Sequence, residues 1–504
     1  MKHPSLAKAL LASALVAFIA GWFFLINLGA SSISLGSDEI IYTRVTQSVL
    51  HKGAFFPLQH GNAPTYEKPP LKLWLGAVAP ELFGEGNFSF RALDGALGVA
   101  TVALTIALAL KISGSLPLAL LSGLALLGMP ELVISHHGFR RAVLDGLLTA
   151  LTVVSCWLTW SLIKARDEDR SKLAILIGVV CALGVLTKSV AGFVPALCAA
   201  VAFVICSGVL ITRDIRQLLK SCRPVFWIVG IPVVTFVAYL IALWSAAGSK
   251  GISIFIGVEI LTRTFHGFEG HNTGSSWFYL WSLFIRGSAV PRCLLIAGVA
   301  GAVLTCFKDP RSRFLLIWAF LPVALYSLSA SKVPWYINPF LPFISIVSFW
   351  GALKVLDLAR DLLGKRVWVK RVLFIALCAL TLPAYWRAID RHARFVLNDN
   401  KRIEIDLLVS ELRARYDNFV ILEDSVSGRS NPIKGRFNLE GIYRETLRPG
   451  LRSIKELTDY APQAGDVVFV KEGSLTKLPG GWKELGSLKP FGARAWRVVV
   501  VEYG

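Results

Sequence analysis

The sequence predicts a mainly α-helical protein that crosses a membrane many times and ends in a small α/β domain. Of its 504 residues, 54% are hydrophobic and only 17% are charged, and the mean hydropathy is +0.59. Soluble domains are less apolar and more charged than this. Apolar runs of about 20 residues recur through most of the chain, and each is long enough to cross about 30 Å of hydrocarbon.

The apolar runs predict eleven membrane spans, with an uncertainty of one or two. The first run follows Lys2 and Lys8 as the apolar part of a signal peptide would, but it is too long for one, and no convincing small-residue cleavage site precedes Asp38. We therefore expect a retained helix. The predicted spans are residues 9–29, 88–110, 115–130, 143–163, 173–190, 192–212, 225–245, 289–307, 314–331, 336–353 and 372–388.

Basic residues predict the orientation in the membrane. With the N-terminus in the cytoplasm, the loops on that side contain 20 Lys or Arg against seven Asp or Glu, as the positive-inside rule requires. The isoelectric point of 9.7 therefore has a topological cause. A nucleic-acid partner would need a basic soluble domain with aromatic stacking platforms, which the sequence lacks. An odd number of spans places the C-terminus outside.

Composition changes near Trp386, so we expect a membrane domain of residues 1–395 and a separate domain of residues 396–504. The second segment contains 17 basic and 15 acidic residues. Residues 401–416 have the apolar spacing of a helix. Three apolar runs are typical of strands, namely Phe419–Leu422, Val467–Val470 and Trp496–Val501. A domain of about 100 residues can fold by itself.

The eight cysteines lie in predicted spans or beside them on the basic side, which argues against a disulfide framework. The sequence has no CxxC or Cys/His metal spacing, no P-loop and no Gly-rich dinucleotide motif. We therefore expect no nucleotide cofactor.

Charged residues in the predicted spans share one end of the bundle. They are Arg91, Asp94, Asp145, Lys188 and Arg292. All fall near the external ends of their spans, whereas a carrier needs its coupling site near the midplane. Charges inside a span are costly and usually functional, so we expect a polar cavity that opens outwards. For any single residue, snorkelling or ion pairing at a helix end is an equal explanation.

The first external loop, residues 30–87, carries the most informative charges. Ser37 is a plausible N-cap, with Asp38 and Glu39 in the first turn of a helix that ends near Gly53. The helix dipole favours ionised carboxylates there. Capping alone would explain an isolated Ser-Asp-Glu.

The same loop continues with Glu67 and Lys68 before two prolines. Because a residue that precedes proline is held extended, Lys68 has a restricted direction and offers a compact cation to a phosphate. Residues 71–83 could form a second interfacial helix. Binding of Lys68 to anionic headgroups is the alternative.

These motifs together resemble the bacterial aminoarabinose transferases of lipid A and the protein O-mannosyltransferases, which are polyprenyl-phosphate-sugar-dependent glycosyltransferases of the integral-membrane C superfamily (GT-C). The resemblance covers most of the membrane part and implies a GT-C bundle of about 11 to 13 spans. It rests on Asp38-Glu39 with Tyr42, Gly53 with Pro57, Tyr66 to Leu71, Leu82 to Gly84 with Phe90-Arg91, Leu144-Asp145, Leu186 to Lys188, and Ser331 to Tyr336 with Pro339 and Pro342.

The resemblance implies a role for each matching position. Asp38 is implied as the catalytic base toward the acceptor in an inverting displacement. The ligands implied for the carrier-lipid phosphate are Lys68, Arg263 and Tyr336. The residues implied in the sugar and acceptor cavity are Glu39, Glu67, Asp145, Lys188 and Lys332.

A divalent metal is a weaker expectation. Some relatives hold a metal with a first-loop Glu and a later His, for which Glu67 and His271 are the candidates, but two ligands without a spacing are little evidence. His136-His137 beside Arg140-Arg141 could also ligate or bind phosphate, although a solvated basic loop is the simpler interpretation.

Two functions stay open from the sequence. The first is a glycosyltransferase of the bacterial inner membrane that moves a sugar from a polyprenyl phosphate to lipid A, another envelope glycan or glycolipid, or a protein. The second is a non-catalytic carrier or flippase of lipid-linked sugar. The first implies a cytoplasmic N-terminus and a periplasmic C-terminal domain. The sequence does not indicate the oligomeric state.

Overall fold

The computed structural model describes the helical part of the chain almost completely and the C-terminal part in pieces. The described residues are 6–29, 38–208, 215–267, 275–285, 289–363, 367–397, 412, 415–416, 418–422, 451–454, 463, 465–471, 481–488 and 496–502. Contacts divide the chain into two compact units. The first consists of Met1–Leu28 with Tyr42–Phe395, and the second of Gly29–Ile41 with Val396–Gly504.

The first unit is a bundle of helices. The α-helices are α1 Leu6–Leu25, α2 Asp38–Lys52, α3 Leu71–Phe83, α4 Asn87–Ser113, α5 Leu116–Leu127, α6 Pro130–Val133, α7 Asp145–Lys164, α8 Asp167–Lys188, α9 Phe193–Cys206, α10 Ile215–Ile252, α11 Phe278–Ile285, α12 Ala289–Thr305, α13 Pro310–Leu328, α14 Leu341–Leu362 and α15 Val367–Leu397. Two 3-10 helices, Ser189–Gly192 and Pro334–Phe340, and a π-helix, Ser253–His266, connect some of them. A hairpin of two short strands, β1 Gln59–His60 and β2 Ala63–Pro64, closes the loop before α3.

The chain is a multi-pass membrane protein. Within the described residues, seven helices are long and apolar enough to cross a membrane, and the bent pair of α11 and α12 could supply an eighth. A helix occupies each of the eleven predicted span positions. The number differs for three reasons. α5 has only 12 residues, about 18 Å at 1.5 Å per residue, and only the short stretch Val16–Leu25 of α1 counts as an apolar helix. In addition, α8 and α9 form one apolar run of 40 residues.

Small residues let some helices approach very closely. A Cβ atom on Gly351 of α14 would lie 1.6 Å from the carbonyl oxygen of Gly298 on α12, and one on Gly178 of α8 would lie 2.4 Å from the Trp227 oxygen on α10. Such contacts are typical of membrane bundles, where the lipid provides no hydrophobic force between helices and close packing has to supply the attraction. Large side chains such as Trp318 and Phe343 are fully buried in the core.

The two loop helices confirm the prediction for the first loop. α2 begins at Asp38, ends just before Gly53, and buries Val45 and Val49. Ile41, one turn before Val45, is 44% exposed. α3 covers Leu71–Phe83, as predicted.

Two buried guanidinium groups hold the end of α1. Arg140 donates to the carbonyl oxygens of Phe23 at 2.7 Å and Ile26 at 2.9 Å, and Arg91 donates to Leu28 at 3.1 Å. The last carbonyls of a helix lack intrahelical partners, and a cation at that end also interacts favourably with the helix dipole. The interpretation of residues 136–141 as a solvated basic loop is therefore wrong for Arg140, which is 6% exposed.

The second unit contains a five-stranded mixed sheet, in the order β4-β3-β5-β7-β6. β3 lies parallel to both β4 and β5, while β7 is antiparallel to β5 and β6. The strands are β3 Phe419–Leu422, β4 Leu451–Ile454, β5 Val467–Lys471, β6 Gly481–Leu488 and β7 Trp496–Glu502. The three predicted strands are confirmed, and β4 and β6 are additional. Most of the predicted helix of residues 401–416 lies outside the described residues.

A buried ion pair joins α3 to α4. Lys72 Nζ lies 2.8 Å from Asp94 Oδ2, and their side chains are 5% and 0% exposed. A Cβ atom on Gly146 would lie 2.6 Å from Asp94 Oδ1, so only glycine at that position of α7 lets the carboxylate lie against its first turn. The pair thereby connects the starts of α3 and α7.

We expect removal of one partner of this pair to be much worse than removal of both. Lys72→Met or Asp94→Asn alone disrupts a buried charge pair, which typically costs about 3–5 kcal/mol, whereas replacing a whole buried pair is often nearly neutral. Thermal denaturation of the detergent-solubilised protein should therefore give a higher apparent Tm for the double variant than for Lys72→Met or Asp94→Asn. A double variant less stable than both would contradict this account.

Candidate functional site

Three residues from distant parts of the chain meet around one carboxylate. Lys68 Nζ forms an ion pair with one oxygen of Glu259, and Arg263 binds the other oxygen at 3.1 Å. Arg263 also lies 3.4 Å from the Tyr336 hydroxyl. The structure therefore brings together the three residues that the sequence implied as phosphate ligands. It adds Glu259, to which the sequence assigned no role.

Each of these side chains is positioned by a different local structure. Lys68 precedes the two prolines before α3, and Tyr66 anchors its segment among Tyr239 and Phe255. Glu259 and Arg263 are four residues apart on the π-helix Ser253–His266. Long π-helices are rare, and π-type turns are frequent at functional sites.

Backbone hydrogen bonds tie the π-helix to the segment that carries Tyr336. The Ser331 amide donates to the Arg263 carbonyl at 3.0 Å, and the Ala330 amide donates to the Thr264 carbonyl at 2.8 Å. The Ser329 hydroxyl also donates to the Arg263 carbonyl, at 3.1 Å. Tyr336 then follows in the 3-10 helix Pro334–Phe340, so its distance from Arg263 is set by backbone contacts as well as by the side chains.

A second charged cluster is centred on Asp145 at the start of α7. Lys188 donates to Asp145 Oδ1 at 2.6 Å, and His137 Nδ1 lies 2.9 Å from Oδ2. The Asp145 side chain is only 3% exposed. The Lys188 ammonium also lies 5.6 Å from the centre of the Tyr336 ring. Tyr336 therefore contacts both clusters, through its hydroxyl on one side and its ring on the other.

His137 is a site residue for which the sequence favoured a solvated basic loop over a metal ligand or a phosphate contact. Its ring stacks on Trp335 with the centres 4.3 Å apart and the planes at 7°. Asn338 holds its backbone by donating to the His137 carbonyl at 3.2 Å and to the Glu131 carbonyl at 3.3 Å. Burial raises the pKa of the side-chain carboxyl of Glu131. The sequence signal for His137 was present, eight residues before Asp145, but nothing in the spacing indicated which way the ring points.

The other residues implied by the resemblance differ in burial and in their surroundings. Lys332 is buried and donates to the Ser329 carbonyl at 2.5 Å, beside the backbone contacts of Arg263. Glu67 is exposed next to Lys68. Asp38 and Glu39 belong to the second unit, where Asp38 is exposed and Glu39 is fully buried.

The metal hypothesis stays a prediction. His271, one of its two proposed ligands, lies outside the described residues. Among the residues that the structure does describe, no group of three or more His, Cys, Asp or Glu side chains could hold a metal ion.

The sequence is similar to known transferases. Residues 39–252 match the dolichyl-phosphate-mannose-protein mannosyltransferase family. The chain is 24% identical over 335 residues to an undecaprenyl phosphate-alpha-4-amino-4-deoxy-L-arabinose arabinosyl transferase of Shewanella sediminis. It is 27% identical over 361 residues to a transferase of the same name from Pseudomonas savastanoi pv. phaseolicola. The alignments include 66% and 72% of this chain but 58% and 64% of those proteins, so the chain spans less than two thirds of their length.

The fold is similar to that of solved membrane proteins. ArnT from Cupriavidus metallidurans, solved with undecaprenyl phosphate bound, superposes with a TM-score of 0.59 at 16% identity, over 99% of this chain and 100% of that one. The apo oligosaccharyltransferase of Archaeoglobus fulgidus gives a TM-score of 0.51 at 14% identity, over 90% of this chain and 65% of that one. At these identities the likeness concerns the fold, and it confirms the GT-C type predicted from the sequence.

The contacts of Asp145 predict that replacing it destabilises the protein more than replacing Lys188. Asp145→Asn removes the charge that both Lys188 and His137 face, whereas Lys188→Met leaves Asp145 its contact with His137. Since a buried charge without a partner typically costs about 3–5 kcal/mol, Asp145→Asn should lower the apparent Tm in detergent more than Lys188→Met. Equal losses would show that His137 does not support the carboxylate.

Proposed function

We propose that the chain is a glycosyltransferase of the GT-C type that transfers a sugar from a polyprenyl-phosphate-linked donor to an acceptor of the cell envelope. The observation that carries this proposal is the convergence of Lys68, Arg263 and Tyr336, which are far apart in sequence, at one place in the bundle. Two cations and a hydroxyl are the groups that a phosphate leaving group needs where its charge develops.

The proposed reaction is a displacement at the anomeric carbon. The acceptor hydroxyl oxygen forms the new bond to that carbon, and the bond from the carbon to the phosphate oxygen breaks with its electron pair on the phosphate. A carboxylate takes the hydroxyl proton, and attack from the side opposite the leaving group inverts the anomeric centre. The products are the glycosylated acceptor and polyprenyl phosphate.

Asp38 is the proposed base. It lies in the first turn of α2, and its side chain is exposed. Glu39 beside it, which the resemblance implies in the sugar and acceptor cavity, is fully buried. The second charged cluster, of Asp145, Lys188 and His137, is proposed to contact the sugar, together with Glu67 and Lys332.

The proposed setting is the bacterial inner membrane, with the N-terminus in the cytoplasm and the C-terminal domain in the periplasm. The excess of basic residues in alternate loops supports this orientation. Undecaprenyl phosphate is the proposed carrier lipid, and the aminoarabinose named for the relatives is the first donor sugar to try. Lipid A, a glycolipid, a glycan or a protein could be the acceptor.

Lys68 tests the phosphate site. Lys68→Ala removes a charge-assisted contact to the phosphate, so we expect the KM for the lipid donor to rise about 10- to 100-fold with a smaller change in kcat. The measurement is transfer by purified protein in liposomes with varied donor. Lys52→Ala is the matched control, because Lys52 lies in the same loop region but binds the Gly61 carbonyl and Asn62. An unchanged donor KM in Lys68→Ala would remove this lysine from the site.

Asp38 distinguishes an enzyme from a carrier. Asp38→Asn keeps the shape but not the base, so turnover should fall by at least about 100-fold while binding of the carrier lipid persists. Glu81→Gln, a change at an exposed carboxylate near the end of α3, serves as the control. Full transfer by Asp38→Asn would show that Asp38 is not the base. A wild-type protein that moves lipid-linked sugar across liposomes without transferring it would be a carrier.

A further inference from the structure

Glu259 occupies the centre of the proposed phosphate site. Its two carboxylate oxygens engage different cations, Lys68 on one and Arg263 on the other, and its side chain is only 7% exposed. A phosphate bound by Lys68 and Arg263 therefore has to share both cations with Glu259. Stability of the fold does not by itself explain a carboxylate at this position, because a buried ion pair often adds little to stability.

The carboxylate changes the charge that the site presents to a phosphate. Two cations against one carboxylate leave a single net positive charge on the trio of Lys68, Arg263 and Glu259. Without Glu259, Lys68 and Arg263 would present two positive charges. Because the trio is mostly shielded from water, a difference of one charge has a larger effect here than at an exposed surface.

The donor and the product of the proposed reaction differ in charge by about half a unit to one unit at pH 7. A sugar linked through phosphate to a polyprenol is a phosphodiester with one negative charge. After transfer, the carrier is a phosphate monoester with a charge of about −1.5 to −2 at pH 7. A site with two unopposed cations would favour the product and hold it after each turnover. A site with one net charge matches the donor.

We propose that Glu259 is a specificity-determining residue that sets the charge of this site to match the phosphodiester donor and weakens binding of the phosphate monoester product. The inference rests on the proposed function and deepens it. Glu259 also holds Lys68 and Arg263 together before any lipid binds. It limits product inhibition and keeps the cations in place for the next donor.

The binding experiment compares two lipids that differ only in charge. Undecaprenyl phosphate represents the product, and its methyl ester, a phosphodiester, represents the donor linkage. Binding to the purified full-length protein in nanodiscs is measured well above the second phosphate pKa of about 6. Glu259→Gln should strengthen binding of undecaprenyl phosphate at least about tenfold more than binding of the methyl ester.

Two variants control for structure. Glu259→Asp keeps the charge and should retain the wild-type preference between the two lipids, even if both bind more weakly. Asp309→Asn neutralises another carboxylate of an ion pair, 2.8 Å from Lys354, while an amide oxygen can still cap α13. It should leave both affinities unchanged. A Glu259→Gln protein that changes both affinities by the same factor, or favours the methyl ester, overturns the inference.

The transfer assay separates this inference from the function on which it rests. In Glu259→Gln, added undecaprenyl phosphate should inhibit transfer at concentrations about tenfold lower than in the wild type. If the wild type transfers sugar and both proteins are inhibited alike, Glu259 does not set the preference. If the wild type binds neither lipid, the proposed phosphate site is wrong and the inference falls with it.

Discussion

Charges enclosed among membrane helices need partners, and this constraint shapes the described site. The cost of a lone charge in a low-dielectric setting is several kcal/mol. Glu259 accordingly meets two cations, and Asp145 meets Lys188 and His137. Tyr336 contacts both groups. The result is one continuous polar network inside a bundle whose other interior surfaces are mostly apolar.

The rest of the bundle keeps that network in place. Glycines allow α12 and α14 to touch through their backbones. Arg140 and Arg91 cap the end of α1, and the pair of Lys72 and Asp94 joins the start of α3 to the start of α7. These contacts are made by backbone atoms and by buried side chains that their hydrogen-bond partners hold in place, and such contacts fix the spacing of the helices. A site built from residues of several helices needs such constraints, because a small shift of any helix changes the spacing between its cations.

Much of the fold followed from patterns in the chain. The bounds of α2 and α3 agree with the predicted loop helices, because an acidic first turn, a proline pair and a glycine stop are local signals. Three strands of the sheet were predicted from their apolar runs, while β4 and β6 were not, since Leu451–Ile454 and Gly481–Leu488 alternate with charge or glycine. The span count was less predictable. Hydropathy identifies apolar runs, but where such a run breaks into separate helices depends on the local backbone, as at the 3-10 turn between α8 and α9.

The candidate site was also predictable from the sequence only in part. Lys68 and Tyr336 lie in motifs, a restricted lysine and a Lys-x-Pro-x-Tyr stretch, that are visible in the chain itself, whereas Arg263 was implied only by the resemblance. That Glu259 lies between Lys68 and Arg263, that His137 turns toward Asp145 and that Tyr336 joins the two clusters depended on how the helices pack. Composition and local order specify which charges a membrane protein carries and near which end of the bundle they fall. Their pairing is a property of the packed helices, since a buried charge is stabilised by whichever partner the tertiary structure brings within a few ångströms.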